Sequence, residues 1–332
     1  MPDLREALRE RAEAVERLLE RTVPKGRNDY LSDGVWYQFD SGGKRLRPAL
    51  CLLSCDVLGG DPEKAVPFAL ATEILHNFLL IHDDIEDGDS MRRDQKTLWA
   101  EYGIPNALNV ADFLIAEGYR LILDAPLPDA MNLRLARAYT HAFRRTVEGQ
   151  ALDINLRGHP DVDLATYFRI VTHQTAFYLA LTWVGGAIVA GIPDRDIEPF
   201  WDLGRCIGPA FQIRDDLIDL TEGKGRGGEI GCDIREGKPS IFFAYIQDRR
   251  LGTSAERERM IELIRRPREE TSDDDIRWVI DFFRAQGALD FAQREAERLV
   301  AEAEKVLDAL PLGDDGRERF REVARFIIAR KM

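Results

Sequence analysis

The chain has 332 residues, of which 45% are hydrophobic and 32% are charged, and its formal net charge is −13. This composition is typical of a packed globular protein and excludes a disordered chain. The acidic balance argues against a nucleic-acid-binding surface and against a surface for anionic membranes, because both need a basic patch. An enzyme that acts on anionic substrates would need a local cluster of basic residues to reverse the overall sign.

The cysteines and the first residues predict a cytoplasmic location. The four cysteines form no Cys-x-x-Cys pair and no histidine cluster accompanies them; they are Cys51, Cys55, Cys206 and Cys232. We expect buried, unreactive thiols in a reducing compartment. Acidic residues occur from Asp3 onwards, and the first residues show no apolar segment of the signal-peptide type.

One uncharged segment has to be interpreted either as a membrane span or as a core helix. Residues 174–193 carry no charge, and their length is close to the ~20 residues that cross a bilayer. Gly185–Gly186 and several hydroxyl and amide side chains dilute the segment, and no basic flank marks a cytoplasmic side. We therefore expect a buried helix and no membrane span.

Helical periodicity dominates along the chain, and alternating strand-like runs are few. Apolar residues recur at three- and four-residue steps from Leu46 to Val57 and predict a helix that ends at Gly59–Gly60. The next stretch, residues 66–84, is apolar nearly all round, as in the middle helix of a bundle. Further helices are predicted around residues 106–122, 129–157, 163–191 and 195–220. The expected fold is an all-α helical bundle with a single domain over residues 1–332.

Two carboxylate clusters of the form DDxxD end apolar helical runs, at residues 83–87 (DDIED) and 215–219 (DDLID). Residues four apart lie on the same face of a helix, so the first and last aspartates of each motif are predicted to converge. Such carboxylates repel one another unless a cation joins them. All-oxygen ligands favour Mg²⁺, which completes its shell with water and substrate phosphates.

A magnesium site competes with two simpler interpretations of these clusters. One acidic cluster is explained equally well as the solvated end of a helix, but two copies beside apolar helices favour a metal site. A calcium loop is disfavoured, because Ile85 occupies the place of an oxygen ligand and no glutamate follows at the twelfth position.

Basic residues accompany both acidic clusters and the GGKRLRP segment. They are Lys44, Arg45, Arg47, Arg92, Arg93, Lys224, Arg226, Arg235 and Lys238. In an acidic protein this placement suggests diphosphate binding, because Arg and Lys neutralise phosphate oxygens that a metal does not reach. Any one of them alone is better explained as an ordinary surface charge.

Together these segments resemble the trans-isoprenyl diphosphate synthase, or polyprenyl synthetase, family. The matching blocks, which cover roughly residues 40–245, are GGKRLRP, HNFLLIHDDIEDGDSMRR, GIPNALNVAD, GQALD, FQIRDDLID and GCDIREGK. The pattern is most similar to short-chain geranylgeranyl diphosphate synthases. The resemblance implies an isoprenoid-synthase bundle around a deep central cavity, usually in a homodimer.

The resemblance also implies a reaction. Mg²⁺ at the two aspartate motifs would assist ionisation of an allylic diphosphate (dimethylallyl, geranyl or farnesyl). The double bond of isopentenyl diphosphate would then attack the allylic cation, and loss of a proton would complete the elongation. The metal charge stabilises the leaving diphosphate, and the cavity keeps water from the cation. The expected partners are these two diphosphates and a second copy of the chain, with no nucleic acid.

By position within the blocks, the resemblance implies roles for individual residues. The metal ligands would be Asp83, Asp84, Asp87, Asp215, Asp216 and Asp219. Arg92 and Lys238 would bind the allylic diphosphate, whereas isopentenyl diphosphate would be bound by Lys44, Arg47, His76 and Arg93. Thr175 and Gln212 would face the developing cation through their oxygens. The catalytic set would be Asp83, Asp84, Asp87, Thr175, Gln212, Asp215 and Lys238. Considered alone, His76 is explained equally well as a core histidine.

Phe78 is predicted to limit the length of the product. It lies five residues before Asp83, which places it about 7.5 Å deeper along the helix axis. An aromatic residue there, with no insertion inside DDIED, is similar to archaeal-type geranylgeranyl diphosphate synthases. It favours a twenty-carbon product over the fifteen-carbon product of a farnesyl diphosphate synthase. As an isolated residue, Phe78 is explained as well by core packing.

The sequence departs from the family's pattern at several positions. Gln174, which we expect to bind substrate, stands where a lysine usually precedes Thr175. Gly228 stands where another lysine is common, and Asp94 replaces a common glycine. The loss of one lysine–diphosphate bond would cost ~1.5–3 kcal/mol, or would indicate a different allylic substrate.

Two other functions on the same fold compete with an active synthase. A class I terpene cyclase would not need Lys44, Arg47 and Arg93, and it typically has an Asn/Ser/Glu motif in place of the second DDxxD. A non-catalytic regulatory subunit would be expected to lose metal aspartates, yet all six are present. Both observations favour the synthase. The departures at Gln174 and Gly228 leave the regulatory subunit as an alternative but do not favour it.

Overall fold

The computed structural model describes residues 4–26, 29–42, 45–221 and 230–328, and these ranges are almost entirely helical. The α-helices are α1 Leu4–Thr22, α2 Tyr30–Asp40, α3 Leu46–Val57, α4 Pro62–Glu86, α5 Leu98–Tyr102, α6 Ile104–Leu123, α7 Asp129–Asn155, α8 Leu164–Val171, α9 Phe177–Val189, α10 Glu198–Thr221, α11 Cys232–Arg235, α12 Ile241–Arg249, α13 Ser254–Arg265, α14 Asp273–Ala285, α15 Ala288–Ala309 and α16 Asp314–Ile328.

Few other regular elements occur in the described ranges. A π-helical turn, Thr172–Ala176, joins α8 to α9, and two 3₁₀ turns are Asp194–Asp196 and Arg268–Glu270. The only strands that the described residues form are β1 (Met91–Arg92) and β2 (Gln95–Lys96), which pair antiparallel. The prediction of an all-α chain is confirmed.

The chain divides into two compact units. Unit 1 comprises Met1–Phe143, Tyr178–Asp202 and Leu307–Val323. Unit 2 comprises Arg144–Phe177, Leu203–Val306 and Ala324–Met332. The single domain over residues 1–332 stays a prediction.

Helix α4 organises unit 1, because its apolar side chains are buried nearly all round. It packs against α1, α3, α5 and α6. Its start is defined by Asp61, whose carboxylate accepts a hydrogen bond from the Glu63 N–H at 3.2 Å, and by Pro62 in the first turn. The predicted middle helix is therefore present, and it carries the first aspartate motif at its far end.

Helix α9 occupies most of the uncharged segment at residues 174–193. Its side chains from Leu179 to Ile188 are buried in protein. A Cβ at Gly186 would lie 2.4 Å from the Cys51 carbonyl oxygen, so only glycine permits this close approach of α9 to α3. Of the described helices, α4 alone is long and apolar enough to cross a membrane, and most of it is buried as well. The burial of α9 and of α4 is typical of core helices.

Unit 2 has a core rich in aromatic residues, to which Tyr167, Phe242 and Phe283 belong. Helix α12 packs against α8 and α14. Helices α13 and α14 both begin with capping boxes, formed by Thr253 with Glu256 and by Ser272 with Asp275. These reciprocal hydrogen bonds fix where each of the two helices begins.

The cysteine thiols are sheltered, as expected from the sequence. Cys51, Cys55 and Cys232 are buried and Cys206 is half-buried. Burial raises the pKa of the Cys55 thiol to about 12, and it raises the pKa of the Cys51 thiol further. Because the thiolate is the reactive form, these two residues stay unreactive near neutral pH.

Candidate active site

The first aspartate motif lies at the carboxyl end of α4. Asp87 is the C-cap residue, and its N–H donates to the Asp83 carbonyl at 2.8 Å. Asp83 and Asp87 are therefore one helical turn apart, and both are half-buried. One side of the helix end presents these two carboxylates together, while Asp84 is buried.

Asp84 binds a basic residue that follows the motif. Arg92 Nε donates to Asp84 Oδ1 at 2.6 Å, and the Trp99 indole N–H donates to the carbonyls of Asp84 and Asp89 at 2.9 Å. A charge-assisted hydrogen bond offsets the cost of burying the Asp84 side chain, which is only 3% exposed. A predicted metal ligand and a predicted diphosphate ligand are thus brought into contact.

Arg92 and Arg93 lie on a tight β-hairpin. Arg92 pairs with Gln95, and the two connecting residues, Arg93 and Asp94, have φ angles of 53° and 62°. Positive φ at both positions is typical of a type I′ turn, which aspartate tolerates better than most residues other than glycine and asparagine. Asp94 can therefore stand where the family commonly has glycine. The Arg93 guanidinium donates to the Gly42 carbonyl, outside the hairpin.

Arg47 and His76 meet at Tyr178, a residue that the sequence did not single out. Arg47 Nη2 donates to the Tyr178 hydroxyl at 2.6 Å, and the guanidinium carbon lies 4.6 Å from the centre of the Tyr178 ring. The His76 ring stacks nearly parallel to the Tyr178 ring, with their centres 6.2 Å apart. Tyr178 therefore holds two predicted isopentenyl-diphosphate ligands in one cluster, through a hydrogen bond and ring contacts.

His76 is surrounded by positive charge. Burial, followed by the charges of Arg47, Arg93, Arg92 and Arg45, holds the pKa of the His76 imidazole well below its usual 6.5. The imidazole is therefore neutral at physiological pH. Arg45 pairs with the buried Glu73 at 3.2 Å. Arg47, Arg92 and Arg93 are the other three cations that act on His76, and guanidinium groups suit an anionic ligand.

The lowered pKa of His76 predicts a pH-dependent stability. The unfolded chain takes up a proton at His76 below about pH 6.5, whereas the folded chain does not. Stability should therefore be complete above pH 6.5 and should fall as the pH drops, by up to about 1.4 kcal/mol per pH unit. Melting temperatures measured from pH 7.5 to 5.5 should decline more steeply for the wild type than for His76→Gln. His159→Gln, which removes an exposed histidine, should keep the wild-type slope.

Phe78 lies deeper in unit 1, on the same helix as the first motif. It is 8% exposed, its ring centre lies 4.3 Å from that of His82, and it meets Phe143 edge to face at 5.2 Å. One helical turn further from the motif, Ile74 and Tyr139 are fully buried. A pair of phenylalanines and then Ile74 with Tyr139 therefore follow one another along α4 and α7.

The second aspartate motif lies near the carboxyl end of α10, in unit 2. Asp215 is half-buried, whereas Asp216 and Asp219 are buried. Asp216 accepts hydrogen bonds from the Tyr167 hydroxyl at 3.0 Å, from Gln212 Nε2 at 3.0 Å and from the Ile241 N–H at 3.3 Å. Asp219 accepts from the Asp233 N–H at 3.1 Å. Two of the predicted metal ligands therefore also position the backbone of α11 and α12.

Gln174 and Thr175 lie in the π-helical turn, a distortion that is frequent at functional sites. The Gln174 amide donates to Gln150 Oε1, and the Thr175 hydroxyl lies 3.5 Å from Gln212 Oε1. A Cβ at residue 149 would lie 2.3 Å from the Gln174 nitrogen, so Gly149 is required beside the turn. Thr175, Gln212 and Asp216 thus form one polar chain.

Lys238 follows α11 and is 21% exposed at its side chain. Its ammonium lies 2.8 Å from a carboxylate oxygen of Glu236, a residue that the sequence did not single out. The neighbouring Arg235, one of the candidate diphosphate ligands, instead binds the Thr271 carbonyl and the Asp273 carboxylate. Lys44, Lys224, Arg226 and Gly228 lie outside the described residues.

The carboxylates of the aspartate motifs suit Mg²⁺ better than a metal whose ligands all come from the protein. In the described part of the chain, no three acidic, histidine or cysteine side chains already converge on one metal position. Mg²⁺ is commonly held by one or two carboxylates while water and substrate phosphates supply the other ligands. Asp83 and Asp87, one turn apart on α4, provide a set of that kind.

Tyr178, Tyr167 and Glu236 carry contacts that no local pattern predicts. Each tyrosine lies in an apolar helical segment and looks like a core residue in the sequence. Their hydroxyls contact Arg47 and Asp216, which are more than 45 residues away along the chain. Only the folded structure shows these pairings.

A family model for polyprenyl synthetase matches residues 28–282, which include every predicted site residue. The chain belongs to the polyprenyl synthetase family. It is 30% identical over 332 residues to the short chain isoprenyl diphosphate synthase of Methanothermobacter thermautotrophicus, covering 100% of both chains. It is 31% identical over 328 residues to the geranylgeranyl pyrophosphate synthase of Geoglobus acetivorans, covering 98% of each.

Solved structures similar to this chain belong to the same family. The geranylgeranyl pyrophosphate synthetase of Pyrococcus horikoshii superposes with a TM-score of 0.89 and 27% identity, over 99% of this chain and 98% of that one. The predicted family and its all-α fold are confirmed, and so is the prediction of a prenyl-transferring enzyme. This polyprenyl synthetase resembles synthases rather than cyclases or regulatory subunits.

Proposed function

We propose that this polyprenyl synthetase condenses isopentenyl diphosphate with an allylic diphosphate and releases geranylgeranyl diphosphate. The observation that supports this best is the cluster of Arg47, Arg92 and Arg93 around the neutral His76. In a protein of net charge −13, a local excess of cations beside paired aspartates suits a substrate that carries a diphosphate.

In unit 1, Asp83, Asp84 and Asp87 would hold Mg²⁺, and in unit 2 Asp215, Asp216 and Asp219 would do so. Bound Mg²⁺ supplies charge that stabilises the departing diphosphate. Arg92 adds a fixed cation for the allylic diphosphate, and its bond to Asp84 holds it at the motif. Arg47, His76, Arg93 and Lys44 would bind isopentenyl diphosphate, with the neutral His76 donating a hydrogen bond rather than a charge.

In unit 2, Thr175 and Gln212 would stabilise the developing allylic cation through their oxygens. The Gln212 amide nitrogen is committed to Asp216 at 3.0 Å, so its oxygen is directed away from that carboxylate. Lys238 would bind the allylic diphosphate. Phe78 would end the cavity for the growing chain, which favours a twenty-carbon product over the fifteen-carbon product of a farnesyl diphosphate synthase.

Gln174→Lys tests the position before Thr175, where this chain has glutamine and the family usually has lysine. A lysine at this position adds a charge where Gln174 now binds Gln150 as a neutral amide. The KM for the allylic diphosphate is expected to fall roughly 10- to 100-fold, because a charge-assisted bond replaces a neutral contact. The KM for isopentenyl diphosphate should stay unchanged. Gln293→Lys, the same change at an exposed position of α15, serves as the control. Equal KM values for both variants and the wild type would contradict a role for residue 174 in substrate binding.

We further propose a homodimer through α6. Ile104, Leu108 and Leu123 lie on one side of this helix and are 45%, 38% and 59% exposed. Large apolar side chains on one exposed face favour an interface between copies of a chain. Leu108→Glu should halve the mass measured by light scattering, whereas Ile230→Glu, at an exposed apolar residue of unit 2, should not. A monomeric wild type would contradict the proposal.

The sheltered thiols and the acidic surface suit a cytoplasmic enzyme.

The decisive experiment is a turnover assay with Mg²⁺, labelled isopentenyl diphosphate and each of the dimethylallyl, geranyl and farnesyl starters. A twenty-carbon diphosphate is the expected product. A hydrocarbon formed without isopentenyl diphosphate would indicate a terpene cyclase. The absence of incorporation with every starter, from folded protein, would contradict the synthase and favour a regulatory subunit.

A further inference from the structure

The turn that carries Lys238 is hydrogen-bonded, through Arg235, to the connection between α13 and α14. Arg235, at the end of α11, binds the Thr271 carbonyl and the Asp273 carboxylate, and its side chain is only 11% exposed. One residue later, Glu236 lies between two cations. Its carboxylate oxygens are 2.8 Å from Lys238 Nζ and 3.6 Å from Arg268 Nη1.

Glu236 is buried far more deeply than these two partners. Its side chain is 2% exposed, against 21% for Lys238 and 36% for Arg268. A buried carboxylate is costly unless it is paired, and the two cations beside Glu236 offset that cost. The buried carboxylate of Glu236 thus contacts two cations that are more exposed than it is. Both cations are accessible to an anion from solvent.

Lys238 can bind Glu236 and a diphosphate at the same time. A lysine ammonium carries three N–H donors, so one lysine can contact a carboxylate and a phosphate oxygen together. The lysine side chain loses considerable rotamer freedom when it is held in one place. A fixed carboxylate restricts the lysine before the ligand arrives, which reduces the entropy lost on binding.

We propose that Glu236 is a positioning residue for Lys238, with Arg268 as the cation that balances its charge. The proposal rests on the proposed function, in which Lys238 binds the diphosphate of the allylic substrate. Glu236→Gln removes the carboxylate charge but keeps the shape of the side chain. Lys238 and Arg268 then lose their shared anion and repel each other, and Lys238 leaves its position.

A double-mutant cycle tests whether Glu236 acts through Lys238. Inorganic pyrophosphate, with Mg²⁺ at a fixed saturating concentration, is titrated calorimetrically into the wild type, Glu236→Gln, Lys238→Met and the double variant. Glu236→Gln is expected to weaken pyrophosphate binding about tenfold. In the Lys238→Met background the same change should have no further effect, because the residue through which it acts is gone. A tenfold loss in both backgrounds would overturn the proposal and leave Glu236 with a structural role.

Matched variants separate this effect from general damage. Asp281→Asn removes a carboxylate from the exposed ion pair with Arg284, and it should bind pyrophosphate as the wild type does. If Glu236→Gln does not fold, Glu236→Asp is carried through the same cycle. Its side chain is one methylene shorter, which withdraws the carboxylate from Lys238 and should weaken pyrophosphate binding in the same direction. Wild-type affinity in the Glu236 variant would also overturn the proposal.

Failure of the proposed function gives a different result. Pyrophosphate binding needs no turnover, so the cycle is read independently of the elongation assay. A wild type that elongates an allylic starter but gives an additive cycle contradicts only the role of Glu236. A wild type that binds no pyrophosphate and elongates no starter contradicts both proposals.

Discussion

Replacing Asp83 with asparagine is expected to lower turnover roughly 10- to 100-fold at a low, fixed Mg²⁺ concentration, because the loss of one charged contact costs about 1.5–3 kcal/mol. Asparagine keeps the size of the side chain but removes the negative charge that a hard cation requires. Asp87→Asn should behave alike, since Asp83 and Asp87 are one turn apart at the end of α4. The measurement is the rate as a function of Mg²⁺ concentration, in which the half-saturating concentration should rise.

The control for this prediction is Asp124→Asn at the end of α6. Asp124 is exposed and pairs with Arg120 at 3.6 Å, so its loss removes an ordinary surface charge from the same unit. Its Mg²⁺ dependence should match that of the wild type. A slower Asp83→Asn enzyme with an unchanged half-saturating Mg²⁺ concentration would show that this carboxylate is not a metal ligand.

Phe78→Ala is expected to move the main product to a longer chain. Phe78 and Phe143 meet edge to face at 5.2 Å and form the first aromatic layer below the aspartate motif. Removing one ring opens space that a growing isoprenoid tail can fill, whereas Ile74 and Tyr139 still occupy the layer below. The distribution of chain lengths, resolved by chromatography after dephosphorylation, gives the result.

Stability has to be controlled here, because Phe→Ala in a core costs about 3–5 kcal/mol. Leu50→Ala in α3 provides the comparison, since Leu50 is 1% exposed and belongs to the same unit. It should lower the melting temperature and leave the product unchanged. Phe143→Ala should lengthen the product as Phe78→Ala does. If both phenylalanine variants release the wild-type product, these rings do not limit the chain.

Much of the architecture could be predicted from the sequence. The middle helix is predicted at residues 66–84 and the structure has it at Pro62–Glu86, because an all-round apolar pattern suits only a buried helix. The helix predicted around residues 163–191 is present but is divided by the π-helical turn Thr172–Ala176. A π turn needs only one extra residue per turn and leaves the hydrophobic period nearly unchanged, so periodicity does not reveal it.

Some features of the candidate site could likewise be predicted from the sequence, and others could not. The two DDxxD motifs and the basic residues beside them are visible in the sequence, because each motif is short and its chemistry depends on residue type and spacing. The partners of those residues are not visible there. Arg235 is a candidate diphosphate ligand by its position, and its contacts with Thr271 and Asp273 emerge only in the fold.

The sequence by itself determined the helical class of this polyprenyl synthetase, its family and its acidic and basic motifs, since all of these depend on local pattern. Only the tertiary structure decided which polar groups pair: Arg92 with Asp84, Arg47 with Tyr178, and Lys238 with Glu236. An ion pair or hydrogen bond is selected by distance and burial once the helices have packed. Neither quantity is encoded at any single position of the chain.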